Sequence, residues 1–324
     1  MRRLLIAVLA FAPLTAHALS LAWPIDCKLG ETCFIQNFVE HGSAQSPVDF
    51  ACDGATFHGL TGTDIRIKSL AAMRAGVAVL AATDGVVLGT RDGVDDISIR
   101  DGGEASVKNR ECGNGVNIQN ADGYSTQYCH MRKGSVLVRT GQQVKTGDAL
   151  GLVGMSGETE FPHLHINILK GGAHIDPFTS APTSIACDAK LIGTAPQLWA
   201  TPIAYQPTNL LNDGVVDSVP DRKAMLDTPV SQATLPTNAP AMLYWAELMN
   251  VRMGDVLTLS LTGPDGSSLA ERSTTLPKNM AAYFHYIGKK NSSGNLAPGV
   301  YHARVALLRH GVAVIDHTRS VTVK

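Results

Sequence analysis

Three histidines and one aspartate have the types and spacing of a catalytic metal site. His163 and His165 stand two residues apart in the tetrapeptide Pro-His-Leu-His. Upstream, Asp64 ends a Gly-Thr-Asp segment and His130 ends a Tyr-Cys-His segment. Side chains two residues apart in a strand lie on the same face, about 7 Å from each other. One histidine of the pair can therefore bind a metal ion while the other faces a substrate.

The elements that must position these residues are predicted to be antiparallel strands. Between about residues 36 and 169, short apolar runs alternate with turns rich in Gly, Asp and Asn, and helical periodicity is scarce. This pattern is typical of an antiparallel sheet, with Asp-Gly pairs at the turns. The predicted strands span residues 77–82, 86–90, 116–119, 124–129, 149–153 and 164–169.

A second β unit is predicted near the C-terminus. Seven of the sixteen prolines fall within residues 196–240, which indicates a linker or an extended segment. Five strand patterns separated by Gly and Pro turns then predict a small β-sandwich of immunoglobulin-like or fibronectin-like kind. We expect the histidines there to be surface or structural residues. The sandwich strands are predicted at 243–251, 256–261, 282–286, 300–308 and 313–323, and these histidines are His285, His302, His310 and His317.

The N-terminus has the pattern of an export signal. Met-Arg-Arg precedes an apolar run over residues 4–14, and Ala-His-Ala follows at 16–18. This predicts a signal peptide cleaved before residue 19. The run is shorter than the roughly 20 apolar residues of a membrane span, so we expect no span after cleavage and a periplasmic or secreted protein. A formal net charge of −1 argues against nucleic acid as a partner.

Six cysteines, an even number in a chain expected to be exported, predict disulfides. The preferred pair is Cys112 with Cys129, because these residues flank a turn-bearing stretch that looks like two neighbouring strands. Their bridge would clamp the loop that carries His130. Zinc binding by cysteines is disfavoured, because the sequence has no CxxC spacing. The other cysteines are Cys27, Cys33, Cys52 and Cys187.

The order of these motifs resembles that of the lysostaphin/LytM-type zinc metallopeptidases over about residues 57–178. The resemblance implies a compact, all-β antiparallel fold of the duplicated hybrid motif type with a groove over the metal. It also implies cleavage of peptides in bacterial peptidoglycan. The predicted regions are the signal peptide 1–18, a disulfide-containing segment 19–56, the peptidase domain 57–190, a linker 191–240 and the sandwich 241–324. The matching motifs are Asp64, TDGVV at 83–87, GVNI at 115–118, YxH at 128–130, GDALG at 147–151, a glycine at 157 and PHLH at 162–165.

The resemblance assigns roles to the site residues. Asp64 and His165 would bind one Zn²⁺, and His130 and His163 would be the histidines that do not bind it. Zinc with three protein ligands keeps a fourth position for a water molecule, whose pKa it lowers towards neutrality. One imidazole can then take the proton of that water, while the other donates a hydrogen bond to the developing oxyanion.

The first ligand position departs from the family pattern. The family has a histidine four residues before the aspartate, where this sequence has Leu60. His58 lies two residues earlier and could act as the third ligand if the glycines at 59 and 62 allow a tight bend. Three functions therefore stay open: an exported zinc endopeptidase that acts on peptidoglycan, a purely structural envelope protein whose sandwich domain does the binding, or an inactive groove. Such a groove would bind peptidoglycan peptides or regulate a partner cell-wall hydrolase.

Overall fold

Strands make up nearly all of the regular structure in this protein. A computed structural model describes residues 19–42, 45–292 and 294–324. The predicted signal peptide, residues 1–18, lies outside this range. Within the described ranges, no helix has the length and apolar character needed to cross a bilayer. The predicted all-β, antiparallel fold class is confirmed.

The first unit contains ten strands among the described residues: β1 (Cys33–Asn37), β2 (Thr63–Ile67), β3 (Ala78–Leu80), β4 (Gly85–Arg91), β5 (Asn114–Gln119), β6 (Tyr124–Met131), β7 (Gln143–Val144), β8 (Ala149–Leu152), β9 (His163–Lys170) and β10 (Ala173–His174). Eight of them form one sheet in the order β1-β2-β9-β6-β5-β4-β7, with β10 paired to β9. Strands β3 and β8 form a separate pair. Because β9 inserts between β2 and β6, residues distant in sequence meet at the centre of the sheet.

Short helices connect these strands: α1 (Leu70–Ala75) and α2 (Ile99–Gly102), with 3₁₀ turns at Glu104–Val107, Ala121–Gly123 and Ala189–Leu191. The Ser69 hydroxyl caps α1 by accepting a hydrogen bond from the Ala72 amide. Such a cap satisfies one of the amides that a helix start leaves without a partner. Apolar side chains from the sheet and from α1 share one core. This core supports the strands that carry the predicted site.

The second unit is a two-sheet sandwich. Its elements are β11 (Asn209–Val216), α3 (Arg222–Asp227), β12 (Thr234–Leu235), β13 (Ala241–Val251), β14 (Val256–Thr262), β15 (Ser268–Thr275), β16 (Met280–Lys290), β17 (Gly299–Arg309) and β18 (Val312–Val323). The sheets have the orders β11-β13-β16 and β12-β18-β17-β14-β15. Buried side chains of both sheets form a common core, as expected of two sheets packed face to face.

The stretch predicted as a linker, residues 191–240, contains strands and a helix from residue 209 onwards. Strand β11 pairs with β13, so this part of the stretch belongs to the second unit. The Asn-Asp-Gly segment inside β11 resembles a turn signal. Gly214 is nevertheless in a strand, where an added Cβ would lie 2.4 Å from the Val230 carbonyl oxygen and 2.7 Å from Trp245 Nε1. The glycine therefore provides close packing and not a turn.

Three disulfides join the six cysteines. The predicted pair, Cys112 with Cys129, is confirmed, and Cys27 pairs with Cys33. The third bridge joins Cys52 to Cys187, which are 135 residues apart in sequence. Since these two residues lie near the ends of the first unit, this bridge encloses β2 to β10 in one covalent loop.

A buried histidine–aspartate pair also ties the two ends of the first unit together. His41 Nε2 lies 2.8 Å from Asp176 Oδ2, and His41 Nδ1 lies 3.0 Å from the Ile185 carbonyl oxygen. Both side chains are almost fully buried. Burial alone would lower the pKa of His41, but the hydrogen bond and charge of Asp176 outweigh it and raise this pKa above 6.5. The charged form of His41 therefore stabilises the fold.

We expect this stabilisation to disappear as the pH rises. A folded-state pKa above the unfolded value gives stability that is complete below about pH 6.5 and is lost as the pH rises through the folded pKa. Urea denaturation of wild type and His41→Gln between about pH 5 and about pH 9 measures this difference. Their unfolding free energies should differ most at the acidic end. A difference that grows with pH would contradict a charged His41.

Candidate functional site

The register of strand β9 places the predicted site residues together. His165 pairs with Asp64 on β2 and with Cys129 on β6, on the two sides of β9. His130 follows Cys129, and His163 begins β9. All four predicted residues line one groove with a volume of about 580 Å³. The structure thus brings Asp64, His130, His163 and His165 to one place, while the chemical role of each stays a prediction.

The Asp64 carboxylate is the centre of this arrangement. Its side chain is 3% exposed, and its Oδ1 lies 2.7 Å from His165 Nδ1 and 3.4 Å from His163 Nε2. On the other side, Asn37 Nδ2 donates a hydrogen bond of 2.8 Å to Asp64 Oδ2. Each carboxylate oxygen thus faces at least one nitrogen of the protein. A buried charge requires partners of this kind, since an unpaired carboxylate out of water is very costly.

These partners also determine the charge of Asp64. Burial alone would raise the pKa of this carboxyl, but the charges and hydrogen bonds of His163 and His165 outweigh burial. They hold the pKa of Asp64 far below its ordinary value. The carboxylate is therefore ionised throughout the physiological range, and the electrostatic balance of the site depends on the two histidines beside it.

His165 has an oxygen acceptor at each ring nitrogen. Its Nδ1–H donates to Asp64, and its Nε2 lies 3.1 Å from Asn167 Oδ1. The orientation of the Asn167 amide is set by its own Nδ2, which donates to Gln127 Oε1 at 3.1 Å. A metal ion needs a free imidazole lone pair. In this arrangement each ring nitrogen of His165 faces a protein oxygen, and a metal ion at Nε2 would have to displace Asn167 Oδ1.

The other two histidines are oriented through their Nδ1 atoms. His130 Nδ1–H donates to the Ser156 carbonyl at 2.8 Å, and His163 Nδ1–H donates to the Phe161 carbonyl at 2.9 Å. In neutral His130 this leaves Nε2 as the acceptor, whereas His163 Nε2 points to Asp64 Oδ1 at 3.4 Å. The two rings are close, with centroids 4.6 Å apart. This is the orientation that acid–base or hydrogen-bonding roles towards a ligand in the groove would require.

His130 is held in an unusual backbone conformation. Its φ is +60°, a region that residues other than glycine seldom adopt. The His130 amide donates to the Cys112 carbonyl at 2.8 Å, and the neighbouring Cys129 is bridged to Cys112. Burial, followed by the charges of His163 and His165, lowers the pKa of His130 well below 6.5. The ring is therefore neutral in the physiological range and can accept a proton or a hydrogen bond.

His58 lines the same groove, but among the described residues it forms no metal-binding group with Asp64 and His165. Its Nδ1 pairs with Glu40 Oε1 at 3.0 Å, and its side chain is 63% exposed. The Glu40 carboxylate also accepts a hydrogen bond from the Gly59 amide, which holds this turn of the chain against Glu40. Leu60 is 5% exposed and lines the groove. An aliphatic side chain therefore occupies the position at which the resemblance expects the first histidine ligand.

These residues do not fit a catalytic zinc ion. Asp64 and His165 are adjacent, but a catalytic zinc site requires a third protein ligand. Leucine has no donor atom, and His58 is engaged with Glu40. Across residues 19–42, 45–292 and 294–324, no group of three or more His, Cys, Asp and Glu is arranged to hold a metal ion. A further amide, Asn37, hydrogen-bonds to the carboxylate that would bind the metal.

Two important residues of the site, Asn167 and Asn37, were not predicted. Asn167 lies two residues beyond His165 on the same strand, so the alternation that relates His163 to His165 could have identified it. Asn37 lies on β1, within the segment expected only to contain disulfides. It has no local signal, because its contact with Asp64 depends on the pairing of β1 with β2.

Comparison with known proteins assigns the first unit to a family. Residues 60–177 match the model of Peptidase family M23. This part of the chain is an M23 peptidase domain. The resemblance to lysostaphin/LytM-type peptidases is thereby confirmed.

The relatives match part of the chain. The peptidoglycan DD-endopeptidase ShyC of Vibrio cholerae is 36% identical over 104 residues, which are 32% of this chain and 20% of that protein. The chain thus spans about a fifth of this relative's length. A zinc-containing peptidase from Vibrio cholerae is 23% identical over 44% of this chain and 39% of that chain, with a TM-score of 0.29. The lysostaphin catalytic domain of Staphylococcus simulans is 19% identical over 43% of this chain and 85% of that chain, with a TM-score of 0.27.

Gly62 of the M23 domain provides the space that the site needs. A Cβ at this position would lie 2.7 Å from His165 Nε2, 2.5 Å from Asn167 Oδ1 and 2.5 Å from the Ile166 carbonyl oxygen. The contact with Ile166 cannot be relieved by a side-chain rotation, because it involves the backbone of the paired strand. The strands must therefore separate to accept any side chain at residue 62.

We expect Gly62→Ala to destabilise the protein by about 1–3 kcal/mol, the usual cost of overpacking. It should also shift the ring signals of His165 in NMR spectra. Gly89→Ala is the control, because a Cβ there would meet no atom within 4 Å. Equal stability of the two variants would show that the groove tolerates a wider separation of β2 and β9.

Proposed function

We propose that the groove of the M23 domain binds peptides of bacterial peptidoglycan and does not hydrolyse them. The observation that carries this proposal is the donor set around Asp64. The carboxylate is engaged by His165, His163 and Asn37, while Leu60 offers no ligand and His58 is engaged elsewhere. Two protein ligands bind zinc much more weakly than the three of a catalytic site.

The ligand class is proposed from the family and from the character of the groove. ShyC is named as a peptidoglycan DD-endopeptidase, and the matching domain here has retained the groove and its histidines. The groove combines two aromatic side chains, Phe57 and Phe161, with the polar groups that a peptide backbone needs. A concave site with apolar walls and a few convergent polar groups is typical of ligand binding.

His130 and Asn37 are suited to hold a peptide. The neutral His130 has an Nε2 acceptor for a peptide N–H. Asn37 has an amide that can form hydrogen bonds to a peptide group, although one of its N–H groups is already given to Asp64. Glu111 and Glu158 lie exposed along the same groove and attract amino groups of a ligand. Peptide binding thus requires none of the zinc chemistry that the donor set fails to support.

A zinc endopeptidase is the second candidate function. The pairing of His130 with His163, both oriented through Nδ1 with Nε2 as the remaining nitrogen, favours it. Zinc would supply Lewis-acid activation of a water molecule, and Asp64 and His165 would hold it. The missing third ligand is the reason for placing this function second.

We further propose that the protein acts outside the cytoplasm, in the periplasm or the medium. The predicted signal peptide and the three disulfides support this, because disulfides persist in oxidising compartments. In such a compartment, peptidoglycan and a partner cell-wall hydrolase are both accessible. Peptidoglycan is the proposed ligand. Binding of the protein to purified sacculi that contain no hydrolase would distinguish this ligand from a partner hydrolase.

Restoring the missing ligand tests the metal part of the proposal. Purified wild type should contain far less than about one zinc per chain, and Leu60→His should raise its zinc content towards that value. The expected gain follows because residue 60 lines the groove beside Asp64. Zinc is measured by mass spectrometry after dialysis, with Leu60→Gln as the control. A wild type already loaded with stoichiometric zinc would refute the proposal that the site has lost its metal.

Replacing His165 tests binding against hydrolysis. We expect wild type to bind insoluble sacculi and to release no soluble fragments after addition of zinc. His165→Ala should also bind the sacculi, because His130, Phe57 and Phe161 remain in the groove. Co-sedimentation measures binding, and chromatography of the supernatant measures cleavage. Release of muropeptides by wild type, abolished in His165→Ala, would instead establish the endopeptidase.

A further inference from the structure

The second unit reaches the groove of the M23 domain. Ala281, on strand β16 of the sandwich, lines the same groove as Asp64 and His165. Its carbonyl oxygen accepts a hydrogen bond of 3.1 Å from Gln36 Nε2, and Gln36 itself lines the groove. A residue more than 100 positions beyond the matched family region, which ends at residue 177, is thus part of the wall of the site.

Asn250 joins the same contact through an irregularity in the sandwich. Strands β13 and β16 pair Met249 with Ala282 and Val251 with Met280, while Asn250 between them has a φ of +50°. Its Nδ2 donates to the Gln36 carbonyl at 2.6 Å, and its Oδ1 accepts from Gln36 Nε2 at 3.4 Å. A residue in this uncommon conformation is maintained by its surroundings. Here its amide holds the Gln36 side of the groove.

A second connection between the sandwich and the groove runs through Arg66. Arg66 is the residue of β2 that pairs with His163, and its guanidinium lies 4.5 Å from the centre of the Phe161 ring. The Phe161 ring is in turn 4.9 Å from the His163 ring. Arg66 Nη1 also donates to Gln36 Oε1 at 3.0 Å. Arg66 therefore contacts Gln36 and Phe161, two residues that line the groove.

The charge of Arg66 is balanced by the second unit. Arg66 Nη2 lies 3.7 Å from Glu247 Oε1 on strand β13, and the two side chains are 5% and 1% exposed. A buried guanidinium without a counter-charge would be strongly unfavourable. An ordinary interface between domains could form anywhere on their surfaces. In this protein, three of its buried polar contacts reach the groove: Asn250 and Ala281 contact Gln36, which lines it, and Glu247 contacts Arg66, which touches Gln36 and Phe161.

We propose that the sandwich is a part of the ligand-binding surface, with Ala281 as a wall of the groove and Glu247 as a positioning residue for the Phe161–His163 wall through Arg66. This inference rests on the proposed function, since the ligand is the same peptidoglycan peptide. The sandwich contributes to affinity directly, because a peptide that lies along the groove from the histidines towards Gln36 contacts both units.

Filling the groove from the sandwich side tests this proposal. The probe is a soluble fluorescent muropeptide with a cross-linked pair of stem peptides, and its Kd is measured by anisotropy with the full chain. Ala281→Trp should raise the Kd by at least about tenfold, whereas Ala313→Trp should change it by less than about twofold. Ala313 is an exposed alanine on strand β18 and does not line the groove. Ala281→Leu is a smaller change that should give an intermediate effect if the tryptophan variant fails to fold.

Glu247→Gln tests the positioning role without adding bulk. In the folded variant, the His163 ring signals should move in NMR spectra and the Kd should rise, while signals of the distant strand β18 stay unchanged. A structural role confined to the interface would lower the melting temperature and leave His163 and the Kd as in wild type.

The outcomes separate the two proposals. If wild type binds the muropeptide and neither Ala281→Trp nor Ala281→Leu changes the Kd, the role of the sandwich is overturned and the proposed function stays in place. No binding of the muropeptide or of sacculi by wild type overturns the proposed function, and with it the ligand assigned to this wall. Tight wild-type binding that weakens in the Ala281 variants and in Glu247→Gln, but not in Ala313→Trp, supports both.

Discussion

The buried carboxylate of Asp64 is the group on which the site depends. A charge out of water must be matched by donors, and here they come from two other strands: β1 supplies Asn37, and β9 supplies His163 and His165. Because these strands must be adjacent for the charge to be balanced, the same interactions fix the order β1-β2-β9 in the sheet. The carboxylate is thus held by a network of protein side chains.

Much of the fold could be predicted from the sequence, and the exceptions share a physical cause. Strands such as β6 and β9 were predicted because apolar residues and turn signals mark them. Strands β1 and β2 were missed because they are buried on both faces and carry polar residues, Asp64 and Arg66 among them, so that alternation is lost. Polar residues in fully buried strands are stable only through partners that sequence spacing does not reveal.

The candidate site was likewise only partly predictable from the sequence. The motif order identified four residues that the structure brings together, and it also identified Leu60 as the departure from the family pattern. It could not determine where His58 points, because the Glu40 carboxylate that holds His58 lies on another segment. Nor could it reveal Glu247 or Ala281, whose part in the groove depends on how two separate units pack against each other.

The bridge between Cys52 and Cys187 has a mechanical consequence. A pulling force between the N-terminal segment and the sandwich would pass from residue 52 to residue 187 through the covalent bond. The enclosed loop, which contains β2, β6 and β9, would carry little of that tension. Asp64 and the three histidines would thus stay together under load, whereas Gln36 and Ala281, which also line the groove, lie outside the loop. The disulfide would thus carry the force in place of the enclosed loop, and Asp64 and the histidines lie in that loop.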